Sequence, residues 1–122
     1  MNIKDKANEL NNMILEGQIM KAFEKFYAED VVMQENDEEP MVGKNDNRER
    51  EFKIMNDMKD VTEMKSVLKN FAVAENISFC EWVNHITFKN GTQVSSSQVS
   101  RQVWNDEGQI IHETFYHKGR GD

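Results

Sequence analysis

Residues 61–117 read VTEMKSVLKNFAVA, EN, ISFCEWVNHITFK, NG, TQVSSSQVSRQVW, NDEG, QIIHETFYH. Four runs rich in Val, Ile, Phe, Thr and Trp are separated by turn-forming residues at Glu75-Asn76, Asn90-Gly91 and Asp106-Glu107-Gly108. Extended runs joined by such turns are hairpin grammar, because Asn and Gly accept the left-handed backbone that reverses a strand. The stretch predicts an antiparallel meander with strands over 61–74, 77–89, 92–104 and 109–117. Strands this long bend at bulges, and a bent sheet can hold helices in its concavity.

Upstream, the spacing changes from two to three and four. Ile3, Ala7, Leu10 and Ile14 share one face of a helix over 3–15, widened by Met13 and Leu15. After Gly17, the residues Ile19, Met20, Phe23, Phe26 and Tyr27 predict a second helix ending near Glu29. Val31, Val32 and Met33 form a short β-favouring run, and the following QENDEEP, with the sole proline Pro40, reads as a loop. From 44 to 59 there is neither Pro nor Gly, and Phe52, Ile54, Met55 and Met58 mark a third, very polar helix with one narrow packing face. The expected architecture is α+β, with three N-terminal helices packed on a curved, mostly antiparallel sheet and a pocket between the layers. One domain is expected over 1–117, followed by a polar tail at 118–122, since 122 residues match a single domain of roughly 100–150.

Composition narrows the function. A net charge of −7 removes the attraction to phosphate on which nucleic-acid binding and anionic membrane surfaces depend. No apolar run approaches the ~18 residues of a membrane span, and the opening MNIKDKANELNNMILEG lacks the apolar stretch of a signal peptide. The single Cys80 closes no intrachain disulfide. A cytoplasmic setting is the expectation. His85, His112 and His117 show no metal-ligand spacing, so no metal or other cofactor is expected. The terminal Arg120-Gly121-Asp122 reads as a chance tail.

Three segments in order, FYAEDVVMQEN after two helices, Pro40 and Gly43 leading into the third helix, and the closing VWNDEGQIIHETFYH, resemble the nuclear transport factor 2-like superfamily and its SnoaL-like group. The resemblance covers roughly residues 3–117. It implies a cone-shaped α+β domain, a homodimer formed through the outer sheet face, and a pocket for a small organic molecule. It does not fix an activity, because the superfamily hosts isomerases, cyclases and transport adaptors.

Residue by residue, the resemblance carries over in part. Ketosteroid isomerase-like members place a carboxylate base just after the first strand, which matches Glu35, or Asp37 with a slipped loop. Their oxyanion tyrosine on the first helix has no counterpart, since Leu10 or Asn11 occupies that position. SnoaL-like cyclases carry an Asp on the last strand that falls on Phe115 here, and Glu113 lies two residues earlier on the same strand face. Glu113 in an apolar cavity would have a raised pKa suited to acid–base work, whereas a salt-bridged glutamate is the bland alternative.

Alternation on the second long strand sends Cys80, Trp82 and Asn84 inward and Glu81 and His85 outward, unless a bulge exchanges the sets. The polar third strand, with Ser95, Ser96, Ser97, Gln98, Ser100 and Gln102, reads either as a hydrogen-bonding wall or as a solvent-facing strand. The expected pocket is therefore lined by Phe23, Phe26, Tyr27, Met33, Phe52, Trp82, Trp104 and Phe115. Asn84, Gln102, Glu35 and Glu113 are its expected polar groups. The leading expectation is a small-molecule binder. The alternatives are an acid–base isomerase or polyketide-cyclase-like enzyme using Glu35 or Glu113, and a dimeric protein-interaction module.

Overall fold

A computed structural model describes residues 2–118; the Arg120-Gly121-Asp122 tripeptide and most of the expected tail lie outside the described residues. The chain folds in the order α1 (Ile3–Leu15), α2 (Ile19–Phe26), β1 (Tyr27–Glu35), β2 (Met41–Val42), α3 (Lys44–Asp57), β3 (Val61–Ala74), β4 (Ile77–Phe88), β5 (Gln93–Trp104) and β6 (Ile110–Tyr116). Asn2 caps α1 by accepting from the Asp5 amide at 2.9 Å. Gly17, at φ 80°, ends it in the left-handed conformation, which frees the Gln18 amide to bond the Met13 carbonyl at 2.8 Å.

The six strands form one mixed sheet in the order β2-β1-β6-β5-β4-β3. The expected meander is present as β3 to β6, each strand antiparallel to the next. The helical layer ends earlier than its periodicity suggests. Helix α2 stops at Phe26, and Tyr27 already pairs with Ile110 of β6, so the expected three-residue strand is a nine-residue one inside the sheet. Its parallel pairing with β6 supplies the backbone bonds that outweigh continuing the helix. The short β2 after Pro40 is an element the loop-like sequence did not announce.

The core lies between α1, α2 and the concave face, where Leu10, Phe23, Phe26, Val31, Met33, Trp104 and Ile110 are buried. Each such side chain contributes about 1.5–3 kcal/mol on burial. Phe26 meets the Trp104 ring edge-to-face, with centroids 6.0 Å apart. A bulge aligns Val103 with His112 but Trp104 with Ile110, so Ile111 is the extra residue. Plain alternation pairs Ile111 with Glu113, whereas the bulge gives the core position to Ile110, which is fully buried.

Helix α3 docks by polar anchors instead of an apolar stripe. Asn47, fully buried, donates from Nδ2 to the carbonyls of Gly43 at 2.8 Å and Met41 at 3.1 Å. Lys44 donates to the Glu24 carbonyl at 3.0 Å. From Asn47, helical steps of four, three and four turn Glu51, Ile54 and Met58 toward the sheet.

Candidate functional site

Glu113 stands on the concave side of β6 and is only 2% exposed. One carboxyl oxygen, Oε2, accepts from Gln102 Nε2 of β5 at 2.8 Å. The other, Oε1, forms a short hydrogen bond with the hydroxyl of Tyr27 at the start of β1. Both partners are neutral. Burial therefore dominates and pushes the Glu113 carboxyl up to about 7, against the opposing pull of the Tyr27 and Gln102 hydrogen bonds. The same burial, together with the neighbouring Glu113, raises the Tyr27 hydroxyl far above its ordinary range, so Tyr27 stays protonated at neutral pH.

These groups border a cavity of about 230 Å³ between the sheet and the helices. Sheet residues Met33, Trp82, Asn84, Gln98, Ser100 and Phe115 form its floor and walls, and Leu10, Phe23, Ile54 and Met58 close it from the helices. Phe23 stacks on Tyr27 with ring centroids 4.9 Å apart, which holds the phenol against the cavity wall. The lining is largely apolar, with polar groups on β3 to β6 and Glu51 on α3, the usual character of a small-molecule site.

The structure brings Phe23, Tyr27, Met33, Trp82, Asn84, Gln102, Glu113 and Phe115 together around this cavity. Phe26 and Trp104 are buried in the core behind it rather than on its wall. Phe52 is displaced outright: it is 52% exposed, because the Asn47 anchor sets the rotation of α3 and sends position 52 to the outer face. Ile54 and Met58 occupy the cavity instead.

Glu35 also lies away from the cavity wall. It sits beside Phe115 in the β1–β6 register, where Arg50 Nη2 of α3 approaches Oε1 at 3.0 Å and His117 Nε2 at 3.4 Å. Asp37 occupies the turn beyond β1 and is not among the cavity residues. Of the two candidate bases, only Glu113 faces the cavity.

Sequence reading missed several participants. Glu51 borders the cavity from α3, and its spacing of four from Asn47 was the available signal. On the inward face of β5, Gln98 and Ser100 join the expected Gln102, which is the hydrogen-bonding wall that the sequence offered as one of two readings of this strand. Ser78 is fully buried behind Gln102, and nothing in its local sequence distinguishes it. The first helix carries no hydroxyl, and Tyr27 at the start of β1 places one at the cavity. Cys80, buried beside Asn11, has its thiol raised to about 11 by desolvation and is inert as a nucleophile. Among the described residues no group of three or more His, Cys, Asp or Glu is placed to hold a metal ion. No helix among them is long and apolar enough to cross a membrane.

A curled sheet packed against three helices is an α+β architecture that solved structures represent well. A proposed SnoaL-like polyketide cyclase from Mesorhizobium loti is similar at TM-score 0.75 and 22% identity, covering 95% of this chain and 99% of that one. A nuclear transport factor 2-like protein from Anabaena variabilis is similar at TM-score 0.77 and 14% identity, covering 98% and 91%. One of unknown function from Cytophaga hutchinsonii gives TM-score 0.76 and 15% identity over 95% and 99%. No family model matches the chain, and no curated protein matches it by sequence. The chain has the nuclear transport factor 2-like fold.

Proposed function

We propose that the cavity binds a small organic molecule with an apolar frame and one carbonyl or enolic oxygen, and that Glu113 exchanges a proton with it. The observation that carries this reading is a buried carboxyl on the cavity wall with a midpoint of about 7, held by neutral donors only. A general acid or base works best when its pKa lies near the operating pH. The likeness in fold to a proposed polyketide cyclase agrees with proton transfer beside a carbonyl, while the reaction itself is not carried over.

Indanone, an aryl ketone with exchangeable α-hydrogens, is a suitable probe. Proton NMR in deuterated buffer near neutrality should show binding and α-hydrogen exchange above the buffer rate, with exchange falling roughly 100-fold or more in Glu113→Gln. Binding without exchange would reduce the reading to a binding pocket. No binding at all would remove the small-molecule reading for this ligand class.

A homodimer is part of the same proposal. The outer sheet face exposes Val67, Phe79 and Tyr116, with Val83 and Val99 aligned beside them in the ladder. Sedimentation equilibrium should give twice the chain mass, and Phe79→Glu should shift the species to the monomer. A wild-type monomer at micromolar concentration would sink the dimer and favour the outer face as a docking surface for another protein.

A further inference from the structure

Trp104 and Ser78 make no part of the cavity wall, yet they end a chain of hydrogen bonds that leads to it. An indole N–H can only donate, and Trp104 Nε1 donates to Ser78 Oγ at 2.9 Å. With a lone pair so committed, the Ser78 hydroxyl turns its proton to Gln102 Oε1 at 2.7 Å. A Gln side chain fits most sites in either orientation. Here its oxygen is claimed by Ser78, so its Nε2 amide must face Glu113 Oε2.

We infer that Ser78 and Trp104 are positioning residues for Glu113: they fix the Gln102 amide so that Oε2 only accepts, leaving Oε1, beside Tyr27, as the seat of the carboxyl proton. Tyr27 then has two states. When Glu113 is ionised, the Tyr27 hydroxyl donates to Oε1 and offers only lone pairs to the cavity. When Glu113 carries its proton on Oε1, that proton is donated to Tyr27 Oη, and the tyrosine's own O–H is released toward the cavity. A ligand oxygen can then take the tyrosine proton while tyrosine takes the carboxyl proton. The net change is one proton from Glu113 to the ligand, with Tyr27 restored. This last step rests on the proposed pocket function; the assignment of the proton to Oε1 does not.

The test is a carbon-13 NMR titration of the Glu113 carboxyl in ligand-free protein, for wild type, Ser78→Ala and Trp104→Phe. Ser78→Ala removes the donor that pins Gln102, and Trp104→Phe removes the donor that orients the Ser78 hydroxyl; in either case the amide is free to turn its oxygen to Oε2, and Glu113 must keep a proton to bond it. The expected result is a roughly tenfold gain in proton affinity in both variants. Glu51 and Arg50 on α3, Tyr27 on β1 and Cys80 on β4 are the charged or titratable groups that act on this pair, and both variants retain them. Folding is checked by circular dichroism, and Ser78→Ala carries the test if the large core residue Trp104 proves irreplaceable. An unchanged midpoint in a folded variant would overturn the inference, because a merely structural role lowers stability without moving the titration. Failure of indanone to bind would count against the pocket reading alone.

Discussion

Two carboxylates, Glu113 and Glu35, lie on neighbouring strands of one sheet and meet opposite electrostatic fates. Glu113 is 2% exposed and is held by an amide and a phenol, so nothing in contact with it compensates a negative charge. Glu35, with its side chain 22% exposed, has the Arg50 guanidinium at 3.0 Å. Burial beside neutral donors makes a carboxyl whose protonation changes near neutrality, whereas a guanidinium partner makes a structural ion pair. Acidic residues on adjacent strands of one sheet are thus set apart by their depth and by their partners.

The largest consequence of this contrast is a pH dependence of stability from Glu113. Its folded midpoint is about 7 against an ordinary 4.5, so the folded state holds a proton that the unfolded chain has lost. Stability is then undiminished below the ordinary value, falls as pH rises between the two midpoints, and stays lower above the folded one, by about 3 kcal/mol in all. Glu113→Gln keeps the shape without the charge. Urea unfolding should find the variant more stable than wild type above the folded midpoint by up to about that 3 kcal/mol, with this downward slope gone. Equal slopes in the two proteins would show that Glu113 ionises freely, and its distinction from Glu35 would disappear.

A smaller effect is expected at the ion pair. Arg50→Ala removes a partly exposed guanidinium, and such pairs contribute about 1 kcal/mol or less. The loss should shrink further in high salt, as read from the same unfolding curves. A loss of several kcal/mol, insensitive to salt, would mean that the Glu35 cluster is a buried element of the fold comparable to the Glu113 site.

Much of this protein was legible in one dimension. The turns Glu75-Asn76 and Asn90-Gly91 with the runs around them determine the meander, because strand alternation and turn chemistry are local properties. For the same reason Trp82, Asn84, Gln102 and Glu113 could be placed on an inward face from alternation and resemblance. Phe52 could not be placed. The polar α3 carries apolar residues on two sides, and only the burial of Asn47 against Gly43 and Met41 decides which side faces the sheet.

Tertiary structure alone decided the rest. Tyr27 and Glu113 are 86 residues apart, and only the parallel pairing of β1 with β6 brings the phenol to the carboxyl. The path from Trp104 through Ser78 and Gln102 crosses two strand pairings, and its direction follows from which groups must donate. Periodicity is written into neighbouring residues, whereas a carboxyl's partners and its desolvation are set by distant segments closing over it.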